Sequence, residues 1–211
     1  VSFNIKIFDD QSAYEQERAK RKLPKRHATL GFYSSKDTTC FINRSKKPKT
    51  YLSIVYHEVN HYFVKTICKK KPPIWFNEGL SEYFEHSTQK KKGWKFYMSD
   101  YELGRIKTMI ELKDLKLKEY ISWRTEDFVK EQITNENYSY TLAHAIVYFL
   151  LQKDFDQFKE DIKDIEVDGE KLFDKLLRQY EEYDKKLIEY EKKYDSDLHT
   201  YIRKDSELSK Q

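Results

Sequence analysis

The chain has 211 residues, enough for one domain with a substantial hydrophobic core. Its 40 Lys and Arg nearly balance its 36 Asp and Glu, so the net charge of +4 indicates a solvated surface and argues against a nucleic-acid partner. No apolar run approaches the roughly 18 residues of a membrane-spanning helix, so we predict no transmembrane segment. Two cysteines, Cys40 and Cys68, are too few for a disulfide framework, and a single bridge between them stays open.

Residues 1–49 are predicted to form a small β-sheet lobe. Residues 3–8 alternate apolar and polar side chains as a half-buried strand does, and residues 9–12 offer caps for a helix that runs to about Lys22. Residues 29–33 and 38–43 are predicted as two further short strands joined by a turn. A strand just before the next helix could leave an edge free for an extended peptide. We expect residues 40–43 to be either that edge or an ordinary interior strand.

Residues 51–65 are predicted to form a helix that carries His57, Glu58 and His61. Residues four apart in a helix lie one turn above each other, so both imidazoles can bind one zinc ion. Glu58 can then act on a water molecule as general base. A catalytic zinc site also needs a third protein ligand. The alternative is that both histidines are ordinary surface or core residues.

The candidate for the third ligand is Glu78. Pro72 and Pro73 prevent the preceding helix from continuing, and a new helix is predicted from about Trp75 to His86, with Glu78 in its first turn. Glu82 lies one turn later and could accept a hydrogen bond from the outer nitrogen of a zinc-bound histidine. Glu82 could equally be a solvated charge.

The rest of the chain is predicted to be mainly helical. The expected class is α+β, with one domain made of the sheet lobe, a helical catalytic core over residues 50–165 and C-terminal helices over residues 166–211. The ambiguous parts are residues 93–98, which could be strand or loop, and residues 112–123, which could be strand or short helix. The predicted helices before the C-terminal region cover residues 101–110, 125–132, with Thr125 as the cap, 138–152 and 155–165.

The two motifs together resemble a known enzyme family. His57-Glu58-x-x-His61 followed by Asn77-Glu78-Gly79 is similar to the gluzincin clan of zinc metallopeptidases, and the flanking residues most resemble the bacterial peptidase MA-like group. The resemblance implies a zincin-like fold and one zinc ion held by His57, His61 and Glu78. It also implies hydrolysis of a peptide or protein substrate with Glu58 as the base. Relatives of this group are often exported, which implies a secreted or cell-surface bacterial protein.

A further resemblance concerns Tyr140, at the start of an apolar helix. The segment is similar to one in related aminopeptidases, where the tyrosine hydroxyl stabilises the oxyanion, and Tyr138 is the substitute if the register differs by a turn. His144 could line the pocket or be a core histidine. The amine-binding Gly-x-Met-Glu-Asn motif of those aminopeptidases is absent from residues 1–56, so we expect an endopeptidase. An aminopeptidase, a non-catalytic binding module and a structural zinc site stay open as alternatives, as does the oligomeric state.

Overall fold

The structure is a computed structural model that describes residues 3–23, 30–44, 51–68, 71–112, 117–134 and 138–153, together with 156, 158 and 160. The fold class is α+β, as predicted, with small sheets and a helical body. The chain forms two compact units, Val1–Ile67 and Cys68–Gln211. The motif helix therefore groups with the N-terminal sheet.

The first unit is a three-stranded sheet with two helices. Strand β1 pairs in parallel with β3, and β2 pairs with β3 in the antiparallel direction, so the strand order is β1-β3-β2. The elements in chain order are β1 (Asn4–Phe8), α1 (Gln11–Lys20), β2 (Gly31–Ser34), β3 (Thr39–Asn43) and α2 (Tyr51–Ile67).

Helix α1 begins where the sequence predicts it. Asp10 is its N-cap, and the Asp10 Oδ1 atom accepts a hydrogen bond of 2.7 Å from the backbone N–H of Ala13. This bond satisfies one of the first backbone donors of the helix, which otherwise have no partner. Helix α1 leads from β1 to β2, and the chain then turns back into β3, which runs parallel to β1.

Strand β3 is the centre of the sheet, so the expectation of a free edge at residues 40–43 is wrong and the interior alternative is correct. All five residues of β3 are buried, because the strand is paired on both sides and covered on both faces. On one face Cys40 and Ile42 pack against Ile54 of α2. On the other face Phe41 stacks on Phe32 with ring centroids 4.7 Å apart. Among the described residues, the outer strands of this sheet are β1 and β2.

The second unit is mainly helical. Its core is one cluster of buried apolar side chains in which Trp75, Ile121 and Val147 are fully enclosed. The elements in chain order are α3 (Ile74–Glu85), β4 (Ser87–Lys90), β5 (Gly93–Phe96), α4 (Asp100–Glu111), α5 (Leu117–Ile121), α6 (Thr125–Thr134) and α7 (Tyr138–Lys153).

Helices α3 and α7 approach each other closely at Gly79. A Cβ atom built on Gly79 would lie 2.3 Å from the carbonyl oxygen of Ala143 and 2.7 Å from Cγ2 of Val147. Such distances are far below van der Waals contact, so no other residue fits without moving one of the helices. The glycine of the Asn-Glu-Gly motif is therefore required by packing.

Several elements of this unit differ in detail from the predicted ones. Residues 93–96 form a strand, but its antiparallel partner β4 was not predicted. The ambiguous stretch contains the short helix α5. Helix α6 already includes Thr125, and Asp127 accepts a hydrogen bond of 3.0 Å from the N–H of Arg124, so the cap assigned to Thr125 is wrong. Most of the helix predicted over residues 155–165, and all of those over 166–211, lie outside the described residues.

None of the described helices is both long and apolar enough to cross a bilayer. Both cysteines are free thiols, with Cys40 buried and Cys68 partly buried.

Candidate metal centre

Helix α2 presents the two motif histidines together. The ring centroids of His57 and His61 are 4.9 Å apart, and a ligand nitrogen of each lies within 4.8 Å of the other. His57 is buried and His61 is partly buried. Imidazole nitrogens bind zinc at about 2.0–2.1 Å. The imidazole pair thus fits the borderline-soft character of zinc.

Glu58 lies in a closely packed environment beneath the sheet. Only 6% of its surface is exposed. A Cβ atom on Gly31 of β2 would lie 2.9 Å from both Cγ and Oε1 of Glu58, and 2.7 Å from Cγ2 of Ile54. The position of the Glu58 carboxylate therefore depends on the absence of a side chain at residue 31.

Two neighbouring side chains respond to the charge of Glu58. Burial raises the pKa of Tyr14 to about 12, and the Glu58 carboxylate adds to the shift, although Arg18 opposes it. Burial also raises the pKa of the Cys40 thiol to about 12, with a further contribution from Glu58. Arg18 is only 3% exposed. Sequence reasoning missed Tyr14 and Arg18 because α1 is dominated by charged residues typical of a solvated helix.

Glu78 lies on α3 and is partly buried, but α3 already begins at Ile74, so Glu78 comes just after the first turn rather than in it as predicted. The Nδ2 atom of Asn77 donates a long hydrogen bond of 3.5 Å to Oε1 of Glu78. Burial raises the pKa of Tyr120 well above its usual value, and the charge of Glu78 and the hydroxyls of Tyr138 and Tyr140 add to the shift. Glu78 and Tyr140 thus share a neighbourhood around Tyr120.

Tyr120 was not predicted as part of this neighbourhood. It is 1% exposed, and its hydroxyl donates a hydrogen bond of 2.6 Å to the carbonyl of Ser139. This bond fixes the first turn of α7, on which Tyr140 lies. Tyr140 packs edge-on against Phe128 with ring centroids 5.0 Å apart. The role of Tyr140 as an oxyanion donor stays a prediction.

Glu82 contacts His86, one turn further along α3. The backbone carbonyl of Glu82 accepts a hydrogen bond of 3.0 Å from Nδ1 of His86, and Oε2 of Glu82 lies 3.6 Å from the same nitrogen. The predicted support of a zinc-bound histidine by Glu82 stays a prediction. His144 could line the pocket or be a core histidine, and its complete burial favours the core histidine.

The predicted residues are thus arranged in two groups. His57, Glu58 and His61 are together in the first unit, and Glu78 and Tyr140 are together in the second. Convergence of the two groups on one ion stays a prediction.

These features define an α+β protein in which two histidines and a buried glutamate are grouped on one helix. The chain belongs to the family described as "Protein of unknown function (DUF1570)", whose model matches residues 51–167, more than half of the chain. The match begins at the first residue of α2 and includes all the predicted ligands and both predicted catalytic residues. No curated protein matches the chain.

Proposed function

We propose that the protein is a zinc-dependent metallopeptidase of zincin-like fold, with His57, His61 and Glu78 as ligands. The observation that carries the proposal is the arrangement on α2, where two imidazoles one turn apart flank a buried glutamate. A purely structural zinc site usually has four protein ligands and needs no adjacent base. The donor set of two imidazoles and one carboxylate leaves room for water and substrate.

Each proposed site residue has a separate role in peptide hydrolysis. When bound, zinc would supply a Lewis acid that polarises the scissile carbonyl and activates water. Glu58 would accept the proton of the attacking water and pass it to the leaving amine. Tyr140 would donate a hydrogen bond to the developing oxyanion. The products are a new carboxylate and a new amine.

The edge of β2 is the proposed place for the substrate backbone. Strand β2 is an outer strand of the sheet in the described part of the chain, and it contains Gly31, the residue against which Glu58 packs. An extended peptide can add to such an edge by main-chain hydrogen bonds. This mode does not require a free substrate terminus, which supports an endopeptidase.

Metal binding tests the ligand set directly. Changing Glu78 to Ala removes one of three proposed ligands, so zinc affinity is expected to fall more than about 100-fold. Loss of a residue that only hydrogen-bonds to a ligand typically lowers metal affinity about 10–100-fold. Competition with a chromogenic chelator measures this affinity in the full chain. Glu126→Ala, on the exposed first turn of α6, is the control and should bind zinc as the unchanged protein does. Equal affinity in Glu78→Ala and the control would exclude Glu78 as a ligand.

Changing Gly31 to Ala is expected to reduce peptide cleavage without removing zinc. The added methyl group would displace the Glu58 carboxylate, and a misplacement of about 1 Å can lower the rate on the order of 10²-fold. The measurement is kcat on a peptide library together with zinc content. Gly104→Ala is the control, since a Cβ atom there meets nothing within 4 Å. Full activity of Gly31→Ala would mean that Glu58 is not held by this contact.

A further inference from the structure

A second cluster of ligand-type side chains lies in the second unit. His86 at the end of α3, Glu102 in the first turn of α4 and His144 of α7 each offer a ligand atom, and these atoms all lie within 4.8 Å of one another. His144 and Glu102 are buried, and His86 is partly buried. The rings of His86 and His144 are stacked with centroids 4.8 Å apart. Both rings therefore approach the same carboxylate.

The hydrogen bond of His86 shows which of its two ring nitrogens is the donor. A backbone carbonyl can only accept, so the 3.0 Å contact between Nδ1 of His86 and the carbonyl of Glu82 places the ring proton on Nδ1. In the neutral ring Nε2 then carries a lone pair. This lone pair lies 3.4 Å from Oε2 of Glu102, which is also an acceptor. Two acceptors that face each other need a cation between them.

The separation suits a metal ion. Two ligands bound at about 2.0–2.2 Å in a tetrahedral arrangement are about 3.3–3.5 Å apart. The 3.4 Å between Nε2 of His86 and Oε2 of Glu102 lies in this range. A hydrogen bond from a protonated ring would ordinarily be shorter, at about 2.7–2.9 Å. The Nδ1–carbonyl bond of His86 is also the usual way in which a protein orients a metal-binding histidine.

The carboxylate of Glu102 is oriented by its own contacts. Its Oε2 atom accepts hydrogen bonds from the N–H and hydroxyl of Ser99, at 2.8 and 2.7 Å, and its Oε1 atom lies 2.8 Å from Nδ1 of His144. The Nε2 atom of His144 is buried with no hydrogen-bond partner among the described residues. The hydrogen bonding of this ring is therefore incomplete within the described part of the chain.

We propose that His86, Glu102 and His144 bind a second divalent transition-metal ion, through one ring nitrogen of each histidine and a carboxylate oxygen. Two imidazoles and a carboxylate suit zinc, cobalt or iron(II) better than calcium or magnesium, which prefer oxygen. The site joins the end of α3 to α4 and α7. Its role is therefore to brace the helices of the second unit.

Metal stoichiometry tests this site independently of the proposed peptidase centre. The full chain is stripped with a chelator, dialysed against zinc chloride and assayed for zinc per chain by elemental analysis. We expect two ions in the unchanged protein, one in His86→Ala, one in the matched variant His61→Ala, and none in the double variant. His86 is the preferred position because its side chain is 23% exposed and its loss is tolerable for folding.

Other zinc counts than those expected decide between the two proposed sites. One ion in the unchanged protein that persists in His86→Ala overturns the second site and leaves His86 as a protonated partner of Glu102. Loss of an ion in His86→Ala with no loss in His61→Ala supports the second site and contradicts the peptidase centre. Glu102→Gln adds a check, because it should also lose the second ion, and a folded Glu102→Gln protein that keeps both ions overturns the proposal.

Discussion

Changing Glu58 to Gln is expected to reduce peptide cleavage by about 10²–10⁴-fold, the usual contribution of a general base. Gln has nearly the same shape as Glu but cannot accept the proton of the attacking water. Zinc content should stay unchanged, because Glu58 is not a ligand in the proposed centre. The measurements are cleavage-site profiling with a peptide library and zinc per chain, both on the zinc-loaded protein.

The matched control is Glu126→Gln, an exposed carboxylate on α6 that should cleave as the unchanged protein does. Cleavage by Glu58→Gln at the unchanged rate would exclude Glu58 as the base. Zinc binding with no cleavage by either form would favour the non-catalytic binding module. The comparison therefore separates an enzyme from a binding protein with the same scaffold.

Changing Gly79 to Ala is expected to lower the free energy of unfolding by about 3 kcal/mol, at the upper end of the usual effect of overpacking. The new methyl group would meet backbone atoms of Ala143, which cannot rotate away as a flexible side chain could. For a chain of this size, such a loss corresponds to a decrease in Tm of about 6–12 °C. Thermal unfolding followed by circular dichroism measures it.

Gly104→Ala is the control for this effect, since it adds the same methyl group in helix α4 where nothing lies within 4 Å. Alanine is the better helix former by about 1 kcal/mol, so this variant should be slightly more stable. Equal Tm values for Gly79→Ala and the unchanged protein would show that α3 and α7 can separate at little cost. The contact at Gly79 would then not explain the glycine of the motif.

The sequence predicts the elements of this fold well, because their periodicity is local. The alternation over residues 3–8 predicts β1, and the apolar spacing over residues 51–65 predicts α2. Periodicity does not determine which strands pair. Strand β3 is central because it pairs with its neighbour β2 on one side and with β1 on the other, and the pairing with β1 depends on contacts distant in sequence. This is why residues 40–43 could not be assigned to edge or interior.

The candidate site likewise has local features that the sequence predicts and long-range features that it does not. The spacing of His57, Glu58 and His61 is a property of one helix turn, so sequence alone defines it. Tyr14, Arg18 and Tyr120 carry no comparable signal, and only packing reveals their burial beside the predicted residues. The cluster of His86, Glu102 and His144 was not predicted for the same reason, because Glu102 and His144 are 42 positions apart in the sequence.

The burial of Cys40 has a practical consequence for chemical labelling. Alkylating reagents react with thiolates. The fully buried Cys40 thiol, whose pKa is about 12, stays protonated and inaccessible to such reagents. The remaining cysteine of the chain, Cys68, lies at the start of the second unit. A maleimide dye would therefore attach at one position in the native protein, and labelling at Cys40 would report when the sheet and α2 come apart.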